Sequence, residues 1–217
     1  MPDSGPSTPR SASGAGSFLT PAHWLDAAVR LLIEEGIDQV KVQRLAAALQ
    51  ASRGSFYWHF RNREELLDAI LQRWQENNTD ALIAALGPAE RPLEERLLGL
   101  FTLWMERHPF YPRFDNAVRA WAAKCAKARR VQRRADRQRL QHLERLFLNA
   151  GFPPAEAKVR GDVLYFTQVG YYALDLEETR AERLAKLELY FRAFTGRDLP
   201  KASAAAYRQA EATRQAG

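Results

Sequence analysis

Gln43-Arg44-Leu45-Ala46-Ala47-Ala48-Leu49-Gln50-Ala51-Ser52-Arg53-Gly54-Ser55-Phe56-Tyr57-Trp58-His59-Phe60-Arg61-Asn62-Arg63 is the stretch that decides the fold. It divides into two helix-sized pieces joined by a short polar hinge. Leu45 and Leu49 share one side of the first piece, because residues four apart lie on the same face of a helix. Phe56 and Phe60 share one side of the second piece in the same way. Two short helices with an apolar inner side are typical of a helix-turn-helix, in which the second helix enters the major groove of DNA.

The second helix and the residues after it carry a more specific pattern. Residues 52–67 read Ser-Arg-Gly-Ser-Phe-Tyr-Trp-His-Phe-Arg-Asn-Arg-Glu-Glu-Leu-Leu, and a predicted helix ending at Gly36 precedes the motif. This pattern resembles the TetR family of bacterial repressors over roughly Thr20 to Ile70, and beyond Ile70 the resemblance is one of helical layout only. Gln50 stands where the family favours glycine in a left-handed backbone conformation, which disfavours other residues by about 1 kcal/mol.

Composition limits the classes of protein to which the chain can belong. Of its 217 residues, 46% are hydrophobic and 27% charged, as in a soluble globular protein. The one cysteine, Cys125, excludes an intramolecular disulfide and fits a reducing cytosol. No apolar run approaches the ~20 residues needed to span a bilayer, and the N-terminus shows no secretory signal. We therefore expect a cytoplasmic protein that does not enter a membrane.

Apolar residues recur at helical spacing along most of the chain, and no segment alternates convincingly as a strand does. This pattern predicts an all-α protein of about nine helices. A long helix is predicted over residues 62–85, opened by Asn62 and Glu65 as a capping box and followed by a break at Gly87. A second capping box, Thr179 with Glu182, opens the last predicted helix.

The sequence divides into four predicted segments. Residues 1–17, rich in Ser, Gly and Pro, are predicted to be a disordered tail. Residues 18–65 form the predicted helix-turn-helix DNA-binding domain, and residues 66–197 a larger helical domain for regulation and dimerisation. Residues 198–217, which are Ala-rich and polar, are predicted to be a flexible C-terminal tail.

The charge of the chain is unevenly distributed. The net charge of +6 permits nucleic-acid binding without demonstrating it. Residues 21–70 carry six Lys/Arg and seven Asp/Glu, so the predicted DNA-binding domain is not basic overall. Residues 124–145 carry nine Lys/Arg against two Asp/Glu. This basic run is a solvated helix face, a site for an acidic ligand such as an acyl-CoA, or an added attraction for DNA, and the sequence leaves all three open.

The resemblance implies which residues face DNA. Arg53, Gly54 and Ser55 open the recognition helix where the family reads bases. The guanidinium group of Arg53 fits guanine O6 and N7, a contact that contributes ~1–3 kcal/mol of discrimination between bases. Gln43 and Arg44 can contact the DNA backbone or an outer base. Contacts to phosphates or to the edge of the groove are implied for Lys41, Tyr57, Trp58, His59 and Arg63. Such contacts set the register of the protein on DNA without reading its sequence.

Bulky residues of the middle helices are the candidates for contact with a small molecule. They are Trp74, Phe101, Trp104, Met105, Phe110, Phe114, Trp121 and Tyr165. Each also follows a helical stripe, so core packing is the competing interpretation. The resemblance implies a cavity between these helices, where an inducer binds and reorients the helix over residues 62–85. The sequence indicates no inducer class, no cofactor and, because its four histidines are scattered, no metal site.

A homodimer is inferred because a recognition helix this short needs a second half-site along the DNA. The resemblance places the dimer contact on the last two long helices. The predicted interface residues are Val163, Phe166, Gly170, Leu174, Leu187 and Phe191. Burial of the same residues within one subunit is the alternative.

The sequence thus predicts a ligand-responsive transcriptional regulator rather than an enzyme. Its predicted form is a repressor that binds a palindromic double-stranded operator as a dimer and is released by a small-molecule inducer. The alternative is a helical small-molecule-binding protein or enzyme that no longer binds DNA. An activator would differ only in the position of its operator, which the sequence does not indicate.

Overall fold

The computed structural model describes residues 19–106, 111–176 and 178–216. The α-helices are α1 (Pro21–Glu35), α2 (Val42–Ala48), α3 (Arg53–Tyr57), α4 (Arg63–Trp74), α5 (Ala81–Leu86), α6 (Leu93–Glu106), α7 (Pro112–Lys124), α8 (Ala126–Asn149), α9 (Pro154–Ala173), α10 (Arg180–Ala185), α11 (Leu187–Thr195) and α12 (Lys201–Ala216). The described ranges contain no strand, and the predicted all-helical fold class is confirmed. The tail predicted over residues 1–17 lies outside these ranges.

The N-terminal helices pack around buried aromatic rings. Trp24 of α1 and Phe56 of α3 meet edge to face with their ring centroids 5.4 Å apart, and Phe60 stacks on Phe56 at the same distance. All three side chains are buried. α1 ends at Gly36, whose φ of 86° lies in the region that favours glycine. The apolar stripes predicted for the two short helices therefore form the core of the helix-turn-helix.

Local hydrogen bonds fix the recognition helix α3. Gln50 has a φ of 52°, so the left-handed backbone expected at this position is present without glycine. The Ser52 hydroxyl caps α3 by accepting a hydrogen bond from the Ser55 amide at 3.1 Å. Asn62 caps α4 in the same way, accepting from the Glu65 amide at 2.9 Å. The capping box predicted here is wrong in one respect. The Glu65 carboxylate accepts a hydrogen bond from the amide of Arg61, at 2.7 Å, and not from the amide of Asn62.

The long helix predicted over residues 62–85 is interrupted. α4 and α5 are joined by a π-helical segment, Gln75–Asp80, whose Asn78 and Thr79 are buried. A π-helical turn contains more residues than an α-helical turn and is often found at functional sites. The segment turns these two polar side chains towards the protein interior. The Thr179–Glu182 capping box is present at α10, but the last predicted helix is divided between α10 and α11.

A second apolar core lies between the later helices. Its buried side chains come from α5, α6, α8, α9, α11 and α12. At Gly161, α9 approaches α8 so closely that an added Cβ atom would lie 2.9 Å from the amide nitrogen of Glu144. The absence of a side chain at this position therefore permits the contact between the two longest helices.

The prediction of a flexible C-terminal tail is wrong for residues 201–216, which form α12. Ala204, Tyr207 and Glu211 lie at helical spacing and are buried. The Tyr207 hydroxyl accepts a hydrogen bond from Thr102 of α6 at 3.2 Å. Glu211 forms an ion pair with Arg180 of α10. These contacts hold the helix against the second core despite its polar composition.

The close approach at Gly161 generates a stability prediction. We expect Gly161→Ala to lower the free energy of unfolding by about 1–3 kcal/mol, because the new methyl group would force α8 and α9 apart. Urea denaturation measures the change. Gly54→Ala is the control, since its Cβ atom would meet only the Ser52 hydroxyl at 3.6 Å. Equal losses in the two variants would contradict this account.

Candidate nucleic-acid interface and small-molecule pocket

The recognition helix presents its polar side to solvent. Arg53 and Gly54, at its N-terminal end, are exposed and Ser55 is half-buried, while Phe56 is fully buried. Tyr57 is 58% exposed and Trp58 is 88% exposed. An indole that exposed gains nothing from packing within its own subunit. The geometry therefore leaves the N-terminal end of α3 and two aromatic side chains available to a partner.

The other predicted DNA-binding residues differ in whether their side chains are exposed or bonded within their own subunit. Lys41 and Gln43 are exposed and His59 is half-buried. Arg44 donates two hydrogen bonds to Glu35, at 2.6 and 2.8 Å, and a third to Gln39. The bonds from Arg44 lower the pKa of the Glu35 carboxyl. The guanidinium group of Arg44 is thus oriented by its own subunit.

Arg63 is the residue for which the structure departs most from the expected phosphate contact. Its Nε atom donates to the carbonyl oxygen of Val40 at 2.6 Å, and its Nη2 atom donates to that of Ile37 at 3.1 Å. These bonds tie the start of α4 to the turn before α2. The physical role seen for Arg63 is to fix the helix-turn-helix against α4.

A buried polar network lies where α4, α7, α8 and α9 meet. Asp115 accepts hydrogen bonds from the Trp74 indole at 3.0 Å and from Arg139 at 3.1 Å. Arg139 also donates to the Thr79 hydroxyl of the π-helical segment at 3.0 Å. The Tyr165 hydroxyl is 3.2 Å from Arg139. We call these five residues the buried network.

Arg119 extends the buried network towards the surface. It donates to Asp115 at 2.7 Å and to Asp136 at 2.8 Å. Burial by itself would raise the pKa of the Asp115 carboxyl, but the charges of Arg139 and Arg119 outweigh burial and hold that pKa below its usual value. Burial raises the pKa of Tyr165 to about 12, so its hydroxyl keeps its proton and donates to Asp136 at 2.6 Å.

A separate cavity lies between α6, α9, α10 and α11. Its volume is about 60 Å³, and we call it the aromatic pocket. It is lined by Phe101, Trp104, Met105, Thr167, Gln168, Tyr171, Glu178, Arg183, Leu187, Tyr190 and Phe194. The sequence-based candidates missed the residues that α9, α10 and α11 contribute. Their contribution follows from the packing of α11 onto α6 and α9, which helical spacing does not reveal.

The structure divides the predicted ligand-binding residues into two groups. Phe101, Trp104 and Met105 line the aromatic pocket. The remaining described candidates are buried outside it: Trp74, Phe114, Trp121 and Tyr165. Trp74 and Tyr165 belong to the buried network, and Phe114 and Trp121 pack into the apolar core of the helix-turn-helix. Phe110 lies outside the described residues.

An exposed apolar stripe runs along α9. Val163, Phe166 and Leu174 are 46%, 60% and 72% exposed, and a Cβ atom at Gly170 would have no neighbour within 4 Å. The other two predicted interface residues do not join this face. Leu187 and Phe191 are only 4% and 2% exposed because they pack into the second core of their own subunit.

The basic run over residues 124–145 is not uniformly solvated. Arg139 is buried, Lys127 forms an ion pair with Asp68 of α4, and Arg129 donates to the carbonyl oxygens of Ala122 and Ala123. Within the described ranges, the exposed arginines of the run that form no ion pair are Arg129, Arg130, Arg133, Arg134, Arg137 and Arg145.

The described part of the chain shows neither a metal site nor a membrane-spanning helix. It contains no group of three or more His, Cys, Asp or Glu side chains placed to hold a metal ion. None of its helices is long and apolar enough to cross a bilayer.

Comparison with known proteins locates the strongest similarity at the helix-turn-helix. Residues 25–70 match the model of bacterial regulatory proteins of the tetR family. The chain is 38% identical over 65 residues to the tetracycline repressor protein class A from transposon 1721 of Escherichia coli. The matched segment covers 30% of each chain. It is 33% identical over 58 residues to the regulator AcrR of Shigella flexneri, which is 27% of each chain. The match thus spans less than a third of these relatives.

Solved structures share the fold over most of the chain. A transcriptional regulator of the TerR/AcrR family from Aquifex aeolicus VF5 superposes with a TM-score of 0.63 at 19% identity, covering 81% of this chain and 99% of that one. The complex of SmeT with triclosan has a TM-score of 0.64 at 19% identity, covering 84% and 93%. SmeT is the repressor of the Stenotrophomonas maltophilia multidrug efflux pump SmeDEF. At these identities the similarity shows a common fold.

The buried network generates a prediction about stability and pH. We expect Asp115→Asn to lower the free energy of unfolding at pH 7 by about 3 kcal/mol, because it leaves the buried Arg139 with only the more distant Asp136 carboxylate, 4.0 Å away. The pKa of Asp115 is lower in the folded than in the unfolded state, so its contribution is present above about pH 4 and is lost as pH falls through the folded value.

Denaturation of wild type and variant between pH 3 and pH 7 measures this effect. The control is Asp26→Asn, which removes the surface ion pair with Arg73 and should change stability by less than about 1 kcal/mol. A loss for Asp115→Asn that is equally large at pH 3 and pH 7 would contradict the linkage.

Proposed function

We propose that the chain is a ligand-responsive transcriptional repressor of the TetR family, whose family model its residues 25–70 match. In this proposal it binds a palindromic double-stranded operator in the cytoplasm as a homodimer, and a small-molecule inducer releases it. The observation that carries the proposal is the presentation of α3, whose buried Phe56 anchors a helix with an exposed, polar N-terminal end.

Base reading is proposed for the first turn of α3. Arg53 is exposed, and no ion pair within the described residues engages it. Its planar guanidinium group can therefore donate two parallel hydrogen bonds to a guanine in the major groove. Gly54 has no side chain and lets the backbone approach the DNA closely. Ser55 is the third proposed contact.

Phosphate contacts are proposed for residues that flank the helix. The exposed hydroxyl of Tyr57, the Trp58 indole and His59 follow the base-reading turn, and Lys41 and Gln43 supply contacts from the bracing helix. Arg44 reaches a phosphate only by giving up bonds to Glu35 and Gln39. Because the domain carries so few free cations, affinity is proposed to depend on where these groups lie and not on overall charge.

Dimerisation is proposed to occur through the exposed apolar stripe of α9. Val163, Phe166 and Leu174 would leave water on association, and Gly170 would allow two helices to approach closely. A two-fold axis makes such a face complementary to itself and turns two recognition helices towards one side of a duplex. The proposed interface does not include Leu187 and Phe191, because both are buried within their own subunit.

Inducer binding is proposed in the aromatic pocket. SmeT, which shares the fold, has been crystallised with triclosan, so this type of helical domain accommodates a small molecule. A ligand acts on DNA binding only if it favours one of two arrangements of the subunit. The proposed element that moves is α4 with its π-helical continuation, since it connects the DNA-binding helices with α5.

The DNA-binding proposal predicts the effect of two substitutions. We expect Arg53→Ala to weaken operator binding about 5- to 150-fold and to relax preference at one base pair in each half-site, consistent with a contact of ~1–3 kcal/mol. Tyr57→Phe should weaken binding to all sequences about equally, because only a phosphate bond is lost. Fluorescence anisotropy with operator and scrambled duplexes measures both.

Arg145→Ala is the control for these variants, since Arg145 is an exposed arginine near the far end of α8. Its operator affinity should equal that of the wild type. A wild type that binds operator no better than scrambled DNA would exclude the repressor function and favour a helical ligand-binding protein that has lost DNA binding.

The dimer proposal makes its own prediction. We expect Phe166→Glu to convert the dimer to a monomer, because it places a charge in the centre of the apolar stripe. Light scattering after size exclusion measures the mass. Gln141→Glu adds the same charge to an exposed position on α8 and should leave the dimer intact. A Phe166→Glu protein that remains dimeric would place the interface elsewhere.

A further inference from the structure

We infer that the aromatic pocket takes a small apolar anion, with an aromatic or aliphatic body and a carboxylate or equivalent acidic group directed at Arg183. This inference rests on the proposed function and assigns the chemical class of the inducer. It depends on which polar atoms of the pocket already have partners and which do not.

The body of the ligand is specified by the walls of the pocket. Phe101, Trp104 and Phe194 contribute aromatic surface, and Met105 and Leu187 contribute flexible aliphatic surface. Apolar walls with few polar groups are typical of small-molecule sites, in which the polar groups fix the orientation of the ligand. A strongly hydrated ligand, such as a free sugar or a nucleotide, would lose its hydration here without replacement.

Among the described residues, Glu178 is the one acidic residue that lines the pocket, and its carboxylate is already engaged. Glu178 accepts a hydrogen bond from the Tyr171 hydroxyl at 2.7 Å, and it forms an ion pair with Lys186. Burial and the bond to Glu178 raise the pKa of Tyr171 to about 12, so the phenol keeps its proton. A cationic ligand would have to displace Lys186 to reach this carboxylate.

Arg183, in contrast, forms no direct ion pair within the described residues, although its charge helps to lower the pKa of Glu178. Its Nη1 atom donates to the carbonyl oxygen of Trp104 at 3.0 Å, and its guanidinium group lies 4.8 Å from the Tyr171 ring centroid. These contacts hold the group in place without neutralising it. A guanidinium group positioned in this way is preorganised for a carboxylate, with which it forms short charge-assisted hydrogen bonds.

Two buried donor atoms on residues that line the pocket also lack acceptors within the described part of the chain. The Trp104 side chain is 2% exposed, and its Nε1 atom has no hydrogen-bond partner among the residues described. The Nε2 atom of Gln168 also has no hydrogen-bond partner among the residues described. Indole nitrogen donates only, so a ligand satisfies Trp104 by bringing an acceptor. An unsatisfied buried donor is unfavourable, and a ligand oxygen that accepts its hydrogen bond would remove that cost.

The small volume of the pocket means that a ligand must move its walls. Its 60 Å³ are far below the ~300–1,000 Å³ typical of sites for drug-sized ligands. The ligand is therefore small, and its entry moves the walls. Met105 and Gln168 have unbranched side chains that can rotate, and further expansion displaces α11 from α6. Binding thus favours an expanded subunit, which is the differential affinity that release from DNA requires.

Three molecules of nearly the same shape and different charge test this inference: benzoate, benzamide and benzamidine. Ligand-observed NMR titration of the full-length wild type measures their affinities, and hexanoate with hexanamide repeats the comparison on an aliphatic body. We expect the carboxylate to bind at least tenfold more tightly than the amide on one body or both, and benzamidine to bind most weakly. Equal binding of acid and amide on both bodies, or preference for benzamidine, would overturn the inference.

Variants identify the group that recognises the charge. Arg183→Gln should abolish the preference for the acid, whereas Arg183→Lys, which keeps the charge, should retain most of it. Arg192→Gln is the control, because Arg192 lies exposed on α11 and pairs with Asp198 outside the pocket. Trp104→Phe should weaken binding of the acid about 3- to 10-fold. A preference that survives Arg183→Gln would assign the recognition to another residue and overturn the inference.

Operator binding is measured separately, so the two proposals fail independently. A wild type that binds operator but does not prefer the acid overturns the ligand class alone. A wild type that prefers the acid but binds no operator excludes the repressor function and keeps the pocket assignment.

Discussion

The ion pair between Asp115 and Arg139 is the interaction on which the rest of the structure depends. Both side chains are almost completely buried, and removing two charges from water is unfavourable by several kcal/mol for each ion. The pair persists because surrounding groups complete its hydrogen bonds, among them Trp74, Arg119 and Thr79. These groups come from different helices, so other arrangements of α4, α7 and α8 would leave a buried charge without its partner.

The same network explains why the helix behind the DNA-binding motif is not a simple rod. Thr79 bonds to Arg139, and Asn78 donates to the carbonyl oxygen of Tyr111 at 3.3 Å, so both polar side chains must face inward. The π-helical segment places them there and sets the direction of α4 relative to α5. The position of the helix-turn-helix is therefore linked to these polar contacts through α4, because Leu66 and Ile70 of α4 share an apolar core with Phe56 and Phe60.

How much of the structure could be predicted depends on how far apart the interacting residues lie in the sequence. The two short helices of the helix-turn-helix are neighbours in the sequence, so the spacing of Phe56 and Phe60 and the turn at Gln50 could be predicted. Spacing identifies an apolar face but not what covers it. For that reason Phe166 and Leu187 looked equivalent, although one is exposed and the other packs inside its subunit. Helix α12 was missed because its inward face includes Glu211, whose burial depends on Arg180.

The aromatic pocket and the buried network are separate, but α9 contributes residues to both. Tyr165 of α9 bonds to Asp136 and Arg139 in the network, while Gln168 and Tyr171 of the same helix line the pocket. Gln168 and Tyr171 lie one to two turns beyond Tyr165 on α9, and the close approach at Gly161 fixes where this helix packs on α8. A ligand that displaced α9 at the pocket would therefore also displace the Tyr165 hydroxyl. Because that hydroxyl, Asp115 and Thr79 all bond to Arg139, such a displacement would act on the contact that orients α4. The helix that bears the exposed apolar stripe is thus the shortest covalent route between pocket and network.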